Sequence, residues 1–106
     1  MKIVAAADHG GFEMKNQIVE NLRKQGFAVE DLGTNSADSV DYPDFAEKAT
    51  AKVLAGQADL GILVCGTGIG ISIAANRHKG IRAAILYDDY VAKVAREHNN
   101  ANVLCF

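Results

Sequence analysis

Five short, almost uninterrupted apolar runs alternate with four helical patterns along this chain. That alternation restricts the fold more than any single motif does. The runs are Lys2–Ala7, Ala28–Leu32, Leu60–Cys65, Ile81–Leu86 and Ala101–Phe106. Continuous apolar character, in place of a strict in-out alternation, is what parallel strands covered on both faces require. The first helical pattern covers Phe12–Gln25, with Met14, Ile18 and Leu22 at i, i+4 and i+8 and Val19 beside them; Gly26 ends it. The second opens at Pro43, a favourable first helical residue, and buries Phe45, Ala46, Ala49 and Val53 before Gly56. The third follows Gly70 with Ile71, Ile73, Ala74 and Ala75 and closes near Gly80. The fourth runs from Asp88, an expected N-cap, through Val91, Val94 and Ala95 to His98.

Strand and helix in strict alternation, joined by right-handed crossovers, predict an α/β chain: a Rossmann-like three-layer sandwich around a five-stranded parallel sheet. At 106 residues, 1–106 is expected to form one domain. A hydrophobic fraction of 49 % supplies a core, which argues against disorder. Eleven Lys plus Arg against thirteen Asp plus Glu leave a net charge of −2, without the basic excess a nucleic-acid partner would require. The longest nearly uncharged stretch, Leu60–Asn76, is broken by four glycines and reads as strand, loop and helix, not a membrane span. Met1-Lys2-Ile3-Val4 enters a strand with no leader pattern, so the cytoplasm is the expected compartment. Cys65 and Cys105 form neither a C-x-x-C pair nor a disulfide framework.

Open parallel sheets bind ligands beyond the carboxyl ends of their strands, where the strand order reverses. Those ends read Asp8-His9-Gly10-Gly11, Cys65-Gly66-Thr67-Gly68-Ile69-Gly70 and Tyr87-Asp88-Asp89. The second is a glycine-rich strand-to-helix turn, and its backbone N–H groups are suited to an anion. It is no P-loop, because no Lys follows. It is no dinucleotide fingerprint either, because Ile71 occupies the third glycine position. Cys65 reads either as inert core or, beside a helix N-terminus that favours the thiolate, as a nucleophile or base. Asp8 is either a loop cap or a binding group, with His9 next to it. His98 ends a helix, where a cation complements the dipole. The polar stretch Gly33–Asp41 is either solvated loop or a substrate-side wall. A zinc site from His9, Cys65 and His98 is not expected, since no pair has ligand spacing.

Several blocks together carry a resemblance. Asp8-His9-Gly10-Gly11, Tyr42-Pro43, Cys65-Gly66-Thr67-Gly68-Ile69-Gly70-Ile71-Ser72-Ile73-Ala74-Ala75-Asn76, Gly80-Ile81-Arg82-Ala83 and His98-Asn99-Asn100-Ala101-Asn102-Val103-Leu104 resemble the ribose-5-phosphate isomerase B family, which includes the galactose-6-phosphate isomerase subunits. The resemblance covers the chain in order. It implies a metal-free, cofactor-free aldose–ketose isomerase of a phosphorylated sugar, ribose 5-phosphate and ribulose 5-phosphate first, acting through an enediolate. It further implies Cys65 as the base between C1 and C2, Thr67 in hydroxyl proton transfer and His98 in ring opening. Asp8, His9, Tyr42, the backbone of Gly66, Gly68, Ile69 and Gly70, and Asn99 would hold the substrate.

Two expectations are set beside that resemblance. His98 ends a helix running back across the sheet, a span of about 15 Å for ten or eleven residues, so it should act in a neighbouring subunit's site. That predicts a homodimer, or a higher oligomer, with shared active sites. The family also continues past the fifth strand into helical segments with phosphate-binding arginines, which Arg77, Arg82 and Arg96 do not match in position. The competing expectation is therefore a catalytically inactive phosphosugar-binding or interaction module.

Overall fold

In the computed structural model, which describes residues 1–106, nine elements follow one another without interruption of the alternation. They are β1 (Lys2–Ala7), α1 (Phe12–Lys24), β2 (Ala28–Asp31), α2 (Tyr42–Leu54), β3 (Leu60–Val64), α3 (Ile69–Asn76), β4 (Ala83–Ile85), α4 (Asp89–Glu97) and β5 (Val103–Cys105). All strand pairs are parallel, in the order β2-β1-β3-β5-β4. The expected α/β sandwich is the architecture found.

Chain direction reverses around β1. The chain leaves it to one side for β2 and returns across it to β3, so the crevice between β1 and β3 is the switch point. Right-handed crossovers then put α1 and α4 on one face and α2 and α3 on the other. One apolar cluster joins Val4, Ala6, Leu63 and Val103 of the sheet to Ala46 and Ala49 of α2 and Ile71 and Ala75 of α3. A smaller one joins Ile3, Ala5, Ile62 and Val64 to Val19, with Ile18 and Leu22 of α1 packed against it. The last strand is interior: β5 pairs with β3 through Leu63↔Cys105 and with β4 through Ile85↔Cys105.

Several sequence expectations are corrected. The inward face of α1 is turned by one residue, so Lys15 and Val19 are buried while Met14 is 50 % exposed. The rotation has a physical cause: the Lys15 ammonium finds partners inside, described below. Ile73, expected to pack with α3's other apolar residues, is 57 % exposed, because Ile71 and Ala75 occupy the sheet side. The strands β4 and β5 are shorter than their apolar runs. The Asp88 cap is as expected, with its side chain accepting the Val91 N–H at 2.8 Å. No helix is long and apolar enough to cross a membrane.

Candidate active site

The loop after β1 is drawn against the end of β3 by backbone and by one carboxylate. Asp8 N–H donates to the Val64 carbonyl at 3.2 Å. The Asp8 side chain, nearly buried, accepts the N–H groups of Gly10 and Gly11 through Oδ1 at 2.9 and 3.0 Å. Of the two readings left open for Asp8, loop cap is therefore one that the geometry fills, and it leaves Oδ2 for a further partner. Gly11 must be glycine, because a Cβ there would lie 2.5 Å from the carbonyl carbon and oxygen of Val64. Gly10 faces Gly66, whose N would stand 3.6 Å from a Cβ added at residue 10.

Beyond β3 the chain turns directly into α3. The Cys65 backbone N–H donates to the Phe106 carbonyl, so the residue stays tied to β5's line. Its side chain belongs to the larger apolar cluster, yet its Sγ accepts the Gly68 N–H at 3.1 Å. Sulfur thus sits at the positive end of α3, with a backbone donor aimed at it. Gly68 makes the turn with φ +77°, and a Cβ there would approach the Phe106 carbonyl carbon to 2.9 Å. Thr67 Oγ1 accepts the Ile69 N–H at 3.1 Å, which holds an exposed hydroxyl at the lip of the turn. The N–H groups of Gly66, Thr67 and Gly70 have no acceptor within the chain. Those are free donors for a negatively charged oxygen.

The third wall comes from the segment between β2 and α2. His9 Nδ1 lies 3.1 Å from the Val40 N–H and 3.2 Å from the Val40 carbonyl oxygen, so either ring tautomer ties His9 to Val40. Tyr42, at the start of α2, lies against Gly70: its Cζ would be 2.8 Å from a Cβ at that position. Asp8, His9, Tyr42, Cys65, Gly66, Thr67, Gly68, Ile69 and Gly70 thereby form one continuous shelf at the carboxyl edge of the sheet. The solvated-loop reading of Gly33–Asp41 is incomplete, since its Val40 end contacts this shelf and its Gly33 end is bonded to Ala7 at the end of β1.

His98 and Asn99 are not brought there. The nine residues of α4 carry the chain about 14 Å back toward the amino edge, where the Asn99 carbonyl accepts Arg82 Nε at 2.8 Å, just before β4 begins. His98 caps α4 and is exposed.

Cavity size does not mark the site. The largest groove, about 650 Å³, lies at the amino edge beside Lys2, Arg23, Phe27 and Lys52. A smaller one, about 260 Å³, borders Tyr42, Gly70, Ile73 and Arg77. The larger touches no shelf residue and the smaller reaches only Tyr42 and Gly70, so strand-end chemistry outweighs volume here: Cys65, Gly66 and Thr67 line neither. The second cysteine differs sharply: burial first, and the charge of Cys65 second, pushes the Cys105 thiol from an ordinary 9.0 up to about 12. No three His, Cys, Asp or Glu side chains converge in a metal-holding group.

What sequence reasoning missed is a buried ion pair behind the shelf. Lys15 Nζ lies 2.6 and 2.7 Å from the two Asp31 carboxylate oxygens and 2.7 Å from Asn35 Oδ1. A signal existed in Lys15 falling four residues before Val19 on one helical face.

Residues 3–106 match the ribose/galactose isomerase family. The chain is similar to ribose-5-phosphate isomerase B of Escherichia coli, at 48 % identity over 105 residues covering 99 % of this chain and 70 % of that protein. Among solved structures it is similar to a Clostridium thermocellum ribose-5-phosphate isomerase B, with TM-score 0.98 and 51 % identity over 100 % of this chain and 72 % of that one. It is likewise similar to the Thermotoga maritima ribose 5-phosphate isomerase, with TM-score 0.95 and 53 % identity over 97 % and 71 % of the two chains.

Proposed function

The chain belongs to the ribose/galactose isomerase family, and from that premise we propose that it interconverts an aldose phosphate and a ketose phosphate, with ribose 5-phosphate and ribulose 5-phosphate the first pair to test. The observation that carries the mechanism is the Cys65 sulfur on the Gly68 N–H, at the start of α3 and beside the β1/β3 switch point. In this reading the Cys65 thiolate takes the proton from the carbon next to the carbonyl. The released electron pair forms the C=C bond of an enediolate, and the carbonyl oxygen becomes an oxyanion. The unpaired N–H groups of Gly66, Thr67 and Gly70 receive that charge, and the thiol then returns the proton to the neighbouring carbon. Thr67 Oγ1 relays the hydroxyl proton between the two oxygens. Asp8, His9, Tyr42 and the turn backbone hold the open-chain sugar.

His98 and Asn99 enter this scheme only through a second copy. We infer a homodimer in which the amino edge of one subunit meets the carboxyl edge of its partner, so that His98 opens the sugar ring in the partner's site with Asn99 beside it. Their position at the end of α4 away from the carboxyl edge supports this, as do the exposed Ile69 and Ile73 next to the shelf. Mixing Cys65→Ala with His98→Ala protein and exchanging subunits should restore about a quarter of wild-type turnover, because half the dimers are mixed and each holds one intact site. A mixture as inactive as its parents removes the shared-site reading.

The isomerase itself is tested by proton NMR of ribose 5-phosphate in deuterated buffer. Deuterium should enter at C2 with the wild-type chain and cease to do so with Cys65→Ala. Binding of the sugar phosphate without exchange in the wild type would instead support an inactive phosphosugar-binding module.

A further inference from the structure

We propose that Lys15 is a positioning residue for this site: it anchors the root of the Gly33–Asp41 segment, and through that segment sets the His9 ring and Tyr42 against the substrate. The proposal rests on the isomerase reading for its kinetic consequence, though not for its structural one. Lys15 is fully buried, and a buried ammonium is tolerated only when its donors are all used. Here they are, on both oxygens of Asp31 and on Asn35 Oδ1. Those two partners belong to the end of β2 and to the loop that follows. Asp31 Oδ1 also accepts the Gly33 N–H at 2.9 Å, while the Gly33 carbonyl and Thr34 N–H clip onto Ala7 at 2.8 and 2.9 Å. The root of the segment is therefore bound to α1, β1 and β2 at once.

Its far end reaches the site, with Val40 on His9 and Tyr42 on Gly70. Between Asn35 and Val40 the only hydrogen bond is local, from Asp38 N–H to Ser36 Oγ. The course of residues 36–39 is thus decided by its two anchors. A pair serving stability alone would have no need of Asn35, whose own residue is exposed and whose side chain reaches inward to complete the ammonium's set.

The test uses two variants that avoid an unpaired buried charge. Lys15→Met combined with Asp31→Asn removes both charges while leaving an oxygen for Gly33, and Asn35→Ala removes only the loop contact. Because the segment holds substrate equally before and during the reaction, the double variant should raise KM for ribose 5-phosphate about tenfold with kcat within about twofold. Asn35→Ala should move KM the same way by a smaller factor. Amide hydrogen exchange should show Val40 losing protection in both variants, with Gly68 and Val64 unchanged. An unaltered KM with kcat falling as folded protein is lost, or full protection at Val40, overturns the proposal. Should the wild type turn over no sugar phosphate, the isomerase reading fails and Val40 exchange alone still decides the role of Lys15.

Discussion

The two edges of the sheet are made from the same five strands and differ in how their polar groups are used. At the amino edge the groove is large, but two of its three cations are committed: Arg23 donates to the Val29 carbonyl, and Lys52 pairs with Glu30 at 3.4 Å, leaving Lys2. At the carboxyl edge there is little enclosed volume, yet backbone donors stand free and a sulfur faces one of them. A catalytic site needs uncommitted donors held in place more than it needs space. The reason for the asymmetry is geometric. At the carboxyl edge the chain enters helices, whose first N–H groups have no internal partner; at the amino edge it leaves them.

The comparison is broken most severely at Cys65. Cys65→Ala should lower isomerase turnover on the order of 10³-fold, as loss of a general base does, with the folded structure retained by circular dichroism. Next comes Gly11→Ala, which forces a methyl into the Val64 carbonyl and should cost about 3 kcal/mol in chemical denaturation. The cysteines sharpen it further. Because folding raises the Cys105 pKa, the folded state is favoured while both states keep the proton. That contribution is present below about pH 9 and is lost as pH rises toward about 12, which urea midpoints across that range will show. Iodoacetamide at neutral pH should accordingly label Cys65 and spare Cys105 until the protein unfolds. The smallest effect belongs to the amino edge. Lys52→Ala breaks a half-exposed ion pair and should change stability by less than about 1 kcal/mol, with turnover unchanged.

Much of this was readable in the residues. Apolar runs and glycine stops located every strand and helix, and the placement of Cys65 and Asp8 at strand ends followed from them, while Tyr42 came only with the family resemblance. The Asp88 cap was visible because its role is local. Strand order was not visible, since alternation dictates handedness but says nothing of whether β5 lies outside β4 or inside it. Lys15 was hidden for a related reason: its burial depends on Asp31 and Asn35, 16 and 20 positions away, and helical periodicity reports only what a residue prefers by itself. Met14 and Ile73 erred in the opposite sense, as apolar side chains left in water once better-placed neighbours had filled the interior.

The interior position of β5 has a consequence for how the molecule is made. As the chain emerges from a ribosome, β2, β1 and β3 can assemble once residue 64 is free, but β4 has no hydrogen-bonded neighbour until β5 arrives and slots in beside it. The turn carrying Cys65 leans on the Phe106 backbone, so its final shape also waits for that insertion. Chemistry encoded two-thirds of the way along the chain therefore matures only after the last strand has been threaded home, and a nascent chain stalled before β5 should expose β3's open edge to chaperones or aggregation.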